Sequence, residues 1–201
     1  MKSRVYFDYN ASAPLCEAAK KAIRRVLNLV GNPSSTHLEG RAVRGLVEKA
    51  RENISNILDV DRDNLIFTSG ATEGAALVLK DKNINCSVLE HDCVKSWCKT
   101  TLKNDVYGQI FARSPKTSAV QLANSETGII QDTQYDIYMA DAVQVVGKIP
   151  FSFRKIGSRA AIISAHKFGG PKGIGALMLN SKCDLSAQIR GGKQEMGIRA
   201  Q

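Results

Sequence analysis

Three unbroken apolar runs constrain the fold more than anything else in the chain: Leu65-Ile66-Phe67-Thr68, Ala160-Ala161-Ile162-Ile163-Ser164 and Ala176-Leu177-Met178-Leu179. None alternates with polar residues, which is the pattern of a strand covered on both faces. Residues 87–89, 106–112, 119–123 and 137–140 are further strand candidates. Helical spacing is clearest early. Ala18, Ala19, Ala22, Ile23, Val26, Leu27 and Val30 recur at three and four, with Pro14 suited to a first turn and Gly31 to the stop. Thr36 and Glu39 form a capping box ahead of a second helix. Its stripe of Val43, Leu46, Val47, Ala50, Ile54, Ile57 and Leu58 predicts a core-facing side. Apolar helical pattern also covers residues 75–79 and, more weakly, 92–102. Strands and helices mixed in this way predict an α/β fold, with a mainly parallel sheet sandwiched by helices. No linker-like stretch divides the chain, so one domain over residues 1–201 is expected.

Composition narrows the class of partner. The net charge is +9, from 28 Lys and Arg against 19 Asp and Glu, a balance that raises the question of an anionic ligand. The basic residues are spread along helix-like segments and aromatics are only 6 %, so specific nucleic-acid binding is not expected. The five cysteines, Cys16, Cys86, Cys93, Cys98 and Cys183, include no C-x-x-C pair. That speaks against a disulfide framework or a zinc site and for reduced, small buried or half-buried thiols in a cytoplasmic setting. No apolar run is long enough for a signal peptide or a membrane span.

Three places carry chemistry. The run Leu65-Ile66-Phe67-Thr68 passes directly into Ser69-Gly70-Ala71-Thr72 and a helix. Such a turn presents free N–H groups and the positive end of a helix dipole, so it suits a phosphate; it also suits an ordinary N-cap. Ser164-Ala165-His166-Lys167 follows a strand and precedes the glycine-rich Phe168-Gly169-Gly170-Pro171-Lys172-Gly173-Ile174-Gly175. A lysine at a strand end is usually a surface charge, but one desolvated there becomes an amine nucleophile for a Schiff base. Asp141 ends a strand candidate, with Gln144 three residues on. It reads either as a helix cap or as a carboxylate pointing into the crevice where α/β sheets bind ligands.

The order of motifs resembles the cysteine desulfurases, within the class V aminotransferase fold. The segments are Phe7-Asp8-Tyr9-Asn10-Ala11, Gly31-Asn32-Pro33-Ser34-Ser35 with His37, Thr68-Ser69-Gly70-Ala71-Thr72-Glu73, and Glu90-His91. They continue with Asn124 before Glu126-Thr127-Gly128, Asp141-Ala142 with Gln144 and Gly147-Lys148, Ser164 with His166-Lys167, and Gly191-Gly192 with Gln194-Glu195 and Arg199. The resemblance implies the large domain of fold-type I enzymes with an N-terminal extension, and pyridoxal 5'-phosphate (PLP) as cofactor. It implies that Lys167 bonds PLP covalently, His91 stacks on the ring and acts in catalysis, and Asp141 pairs with the pyridine nitrogen. Gln144 and Ser125 would meet ring oxygen, and Ala71, Thr72, Ser164 and His166 would hold the phosphate. The implied reaction takes L-cysteine to alanine with sulfur passed on as a persulfide, for iron–sulfur cluster or thio-cofactor assembly.

The sequence departs from that pattern in four respects. Family members continue past the Gly191–Arg199 motif, so a small C-terminal domain, a sulfur-accepting cysteine and a carboxylate-binding arginine are expected to be absent. None of the five cysteines matches the acceptor position. Ser125 stands where an asparagine is usual, and Ala165 where a glycine is. The stretches between His91 and Asn124 and between Glu126 and Asp141 are short, the second too short for the usual crossover helix. Function is therefore expected to be desulfurase-like but incomplete alone, needing a complementing C-terminal chain for the missing half; a homodimer partner and a sulfur acceptor or iron–sulfur scaffold protein are further expected partners. The alternatives are a non-catalytic pseudoenzyme or scaffold subunit, and another class V reaction such as transamination or a lyase step. Surface bared by truncation predicts self-association.

Overall fold

The computed structural model describes residues 4–132, 136–181, 183 and 185–200. Its centre is a sheet built from β1 (Leu65–Thr68), β5 (Ala119–Gln121), β6 (Met139–Asp141), β7 (Ala160–Ser164) and β8 (Gly175–Leu179). The order is β1-β8-β7-β6-β5. A parallel bridge from Ser118 to Asn85 extends it to β2 (Asn85–Ser87), then β3 (Lys99–Asn104) and β4 (Ile110–Phe111). β8 runs against both neighbours, so β1 and β7 share a direction; β6, β5, β2 and β3 follow it, and only β8 and β4 are reversed. The sheet is thus mainly parallel, as the apolar runs require.

Both faces are covered, and each strand sends alternate side chains to opposite sides. Ile66, Met139, Ile162 and Leu177 pack on one face with Ala75 and Val78 of α3 (Ala71–Leu79) and Val94 of α4 (Asp92–Lys95). Leu65, Ala161, Ile163 and Met178 pack on the other with Leu58 of α2 (Leu38–Leu58) and Phe153 of α5 (Phe153–Ile156). Full burial of each such Leu, Ile or Met contributes on the order of 1.5–3 kcal/mol. Gly74 lets α3 settle on β7, because a Cβ there would stand 2.9 Å from the Ile162 side chain.

The expected strands 65–68 and 160–164 match residue for residue, and 176–179 within one residue. Elsewhere the structure corrects the expectation. α1 (Glu17–Val26) starts three residues after Pro14, capped by the Cys16 Sγ, which accepts from Ala19 N–H. Cys16 is exposed, unlike the other four cysteines. α2 is capped by His37, not Thr36: the ring Nδ1 accepts from Gly40 N–H. Much of the apolar stripe of α2 faces away from the core, with Leu46 46 % and Ile57 73 % exposed, because the inward side is taken by Arg51, Ser55 and Leu58. The expected helix over 92–102 is a single turn. β-Branched Thr100 and Thr101 favour extension, and pairing with β2 turns the rest into β3. Residues 106–112 contain only the two-residue β4. Among the described residues, β5 and β6 are joined without a helix, as the short spacing predicts.

The C-terminal segment is fastened by a buried ion pair. Arg51 meets both carboxylate oxygens of Glu195, at 2.7 and 2.9 Å, and donates to Leu65 O; Glu195 also accepts from Phe67 N–H at 2.7 Å. Glu195 and Met196 have φ of 43° and 57°, a costly left-handed conformation for residues with a Cβ, so the pair holds them there. Nearby, Arg199 donates to Glu73 at 2.9 Å, joining the segment to α3. Arg51→Met leaves the Glu195 charge buried without its counterion and is expected to cost about 3–5 kcal/mol in urea unfolding. The double variant Arg51→Met, Glu195→Met should recover much of that loss.

Candidate functional site

The carboxyl ends of β1, β5, β6 and β7 open on one cavity of about 530 Å³. All nine residues singled out in the sequence line it: Ala71, Thr72, His91, Ser125, Asp141, Gln144, Ser164, His166 and Lys167. A larger cleft, about 620 Å³, lies between α2 and the C-terminal segment, but its Arg51, Glu48, Arg62 and Glu195 are largely spent on one another.

The end of β1 supplies the first wall. Gly70 is the N-cap of α3 and brings no side chain to its N–H groups. Glu73 turns back to accept from Ser69 N–H at 2.6 Å, and Thr68 Oγ1 donates to Gly70 O at 2.9 Å, fixing the turn. A nine-residue helix with an uncapped N-terminus facing a cavity is a site for an anion. Ser164, at the end of β7, stands beside it: a Cβ on Gly70 would lie 3.6 Å from the Ser164 Oγ.

The β7 end supplies the lysine. Residues 165–167 form one 3-10 turn, closed by Phe168 and Gly170 N–H groups donating to Ala165 O. Ala165, the unusual alanine, packs so closely on Gly170 that a Cβ there would be 2.6 Å from its own. The half-buried Lys167 Nζ donates to Asn10 O at 2.7 Å. His166 Nδ1 lies 3.3 Å from Ser12 Oγ, and burial, then the charges of Lys167 and Lys172, hold the ring below the usual histidine range. At neutral pH, with no anion beside it, the ring is therefore a neutral hydrogen-bonding group.

The β6 end supplies a buried acid. Asp141 is 6 % exposed and accepts from Val143 N–H at 2.9 Å. Burial pushes its carboxyl up, against the pull of that N–H and of the His91 and Lys167 charges, so a cationic ring nitrogen placed beside it would be strongly favoured. His91 caps α4 through Nδ1, which accepts from Cys93 N–H at 3.1 Å, so the donor of the neutral ring is Nε2. Ser125 reaches the cavity from a turn built by Asn124. The Asn124 Oδ1 accepts from Glu126 and Thr127 N–H, and its Nδ2 donates to Leu89 O.

Several residues in or beside the cavity had no signal strong enough to single them out in the sequence. Asn10, beside the cavity, belongs to one of the motifs, but nothing local shows that its carbonyl meets both Lys167 and Gln144, the latter through Nε2 at 2.9 Å. Ser12, Gln121 and Cys93 line the cavity itself. Burial and the Asp141 charge push the Cys93 thiol up to about 12, which keeps it protonated and a poor nucleophile. Beneath the cavity, Glu90 is 2 % exposed; Oε1 accepts from Gln121 N–H, and Oε2 is among the buried atoms lacking a partner.

The donor set fits PLP. An amine that can bond an aldehyde, a buried carboxylate suited to a cationic pyridine nitrogen, and an uncapped helix end with a neighbouring serine suited to a phosphate share one cavity.

Glu90 makes a testable case for buried-acid energetics. Burial above all, with Asp141 and Cys86 nearby, raises its carboxyl well above the ordinary range. The unfolded chain then loses this proton before the folded chain does, so stability falls as pH rises above the ordinary carboxyl range. Glu90→Gln removes the penalty and keeps the acceptor. It is expected to raise the melting temperature at pH 8 by about 2–4 °C, with the gain vanishing near pH 4, in thermal unfolding across pH.

The comparisons agree with this geometry. The chain is 37 % identical over 236 residues to the cysteine desulfurase IscS of Dictyoglomus turgidum, an alignment covering 100 % of this chain and 60 % of that one. A solved NifS-like protein superposes with a TM-score of 0.90 at 30 % identity, covering 99 % of this chain and 65 % of its own. SspA, solved in complex with cysteine, gives 0.89 at 27 % identity, covering 98 % and 68 %. The chain thus spans 60 % of the length of its IscS relative. The model of the class-V aminotransferases matches residues 5–103 and 98–196, two stretches meeting where the chain is short after His91. On that match and on the fold, the chain belongs to the class-V aminotransferase family.

Proposed function

We propose that the chain is the cofactor-binding part of a PLP-dependent cysteine desulfurase. The convergence of Lys167, the buried Asp141 and the uncapped α3 N-terminus on one cavity carries this reading. Bound PLP supplies an electron sink for bonds at the α-carbon of an amino acid. Lys167 would bond it covalently, and Asp141 would keep its ring nitrogen protonated. Ala71, Thr72, Ser164 and His166 would hold its phosphate. His91 would stack on its ring, and with its Nε2 hydrogen could exchange a proton with a bound amino acid. Gln144 and Ser125 would donate to its phenolic oxygen.

L-Cysteine is the proposed substrate. A relative named a desulfurase and a related structure solved with cysteine support it. Cys93 is a poor candidate for the sulfur acceptor because it stays protonated. We place the acceptor cysteine, and the arginine that binds the substrate carboxylate, outside the 201 residues of this sequence. An iron–sulfur scaffold or another sulfur carrier is the proposed recipient.

The test is an absorbance spectrum of the protein with PLP beside that of Lys167→Ala. A visible band that borohydride abolishes, absent in the variant, is expected. No band in either protein would leave a scaffold role in place of catalysis, and α-keto acid formed from an amino acid would replace desulfuration with transamination.

A further inference from the structure

Lys148 lies one helical turn after Gln144, in a stretch where Val146 N–H donates to Ala142 O and Lys148 N–H to Val145 O. Its ammonium donates to Gln144 Oε1 and, at 3.2 Å, to Asn10 Oδ1. An ammonium has donors and no acceptor, so only one of the two flips of the Gln144 amide suits it, the one with oxygen toward Lys148. Nε2 is thereby turned the other way, onto Asn10 O at 2.9 Å. Lys167 Nζ donates to that same carbonyl at 2.7 Å. Asn10 Nδ2 completes the set by donating to Ser125 O at 3.1 Å. The groups facing Lys148 are thus Gln144 from its own turn, Asn10 from the N-terminal segment and the Lys167 charge from the β7 loop.

We propose that Lys148 is a positioning residue: it locks the Gln144 amide with its N–H₂ group aimed at Asn10 O, beside the Lys167 ammonium, and it pins Asn10 over Lys167. The inference rests on the PLP reading and deepens it. Two donors, Gln144 Nε2 and Lys167 Nζ, meet at one acceptor. PLP carries its phenolic oxygen next to the aldehyde carbon that a lysine captures, so an amine and an amide N–H side by side match two adjacent atoms of that ring. A Gln144 amide flipped the other way would set oxygen against oxygen. Burial and the Lys167 charge hold Lys148 below the usual lysine range, as expected for a cation drawn to the edge of the site.

The experiment compares the full chain with Lys148→Met, which keeps the stem and loses the charge, and with Lys148→Arg, which keeps the donors. The first readout needs no cofactor. In protein labelled with ¹⁵N-glutamine, the Gln144 side-chain signals, assigned by their loss in Gln144→Glu, should shift toward free-amide values in Lys148→Met and return in Lys148→Arg. The second is PLP titration. Lys148→Met should weaken binding by about five- to tenfold, the worth of one misdirected hydrogen bond, and move the pH midpoint of the visible band. Lys148→Arg should restore both. Unchanged Gln144 signals in Lys148→Met would overturn the proposal, as would unchanged affinity and midpoint. If the unaltered chain gives no band with PLP, the cofactor reading falls, and the glutamine signals still decide the role of Lys148.

Discussion

Everything at the cavity depends on how closely the backbone packs at Gly175. It opens the reversed strand β8 and pairs with Thr68 of β1 on one side and Ser164 of β7 on the other. A Cβ on Gly175 would lie 2.5 Å from Ile163 O and 2.7 Å from the Gly70 Cα, so no other residue fits without moving one wall. This single position therefore sets the separation between the uncapped end of α3 and the loop that carries Lys167. An anion at the first and the amine of Lys167 at the second would be spaced by the width of one strand. The reversed direction of β8 has a use here, since it fills the sheet between those two ends without bringing a third loop to the same edge.

The electrostatics of the site follow from the same layering. Strand ends bury Asp141 and Glu90 close together, and burial raises both carboxyls. The cations come from loops: Lys167 after β7, Lys148 after the turn beyond β6, and Lys172 from the glycine-rich stretch. Acids are thus buried at the floor of the cavity and bases stand around it. The arrangement keeps one cationic ring nitrogen favourable deep inside while leaving amines and N–H groups for anionic atoms near the entrance. The N-terminal segment closes this arrangement through Ala13 N–H to His166 O and Cys16 N–H to Gly169 O, at 2.8 and 2.9 Å.

Much of this was legible in the sequence, and the parts that were not share a cause. Strands 65–68 and 160–164 could be read to the residue because an apolar run bounded by turn residues has few other ways to bury itself. The nine cavity residues could be named because they stand in motifs that resemble those of a known family, and that resemblance assigned their roles. The helix expected over 92–102 failed because its spacing is neutral between helix and strand, and β2, distant in the pattern, decides. The stripe on α2 failed for a related reason: Arg51 reads as surface, and only its meeting with Glu195 makes its face the inner one. Asn10 and Lys148 could not be singled out, since their roles come from convergence between segments more than a hundred residues apart in sequence.

The placement of β8 has a consequence for how the chain comes to be folded. Its register with β1 joins Leu65 to Met178 and Thr68 to Gly175, so β1 finds its partner in the central sheet more than a hundred residues further along the chain. Contacts of such separation are slow to form, because loop closure must precede any gain from pairing. On a ribosome, the turn at Gly70 is made early and stays without its opposite wall until β8 has emerged. The parallel strands β5, β6 and β7 can assemble first, leaving the edge of β7 open until β8 arrives. Nascent chains paused before residue 175 would expose that edge, and there the fold is most open to mispairing.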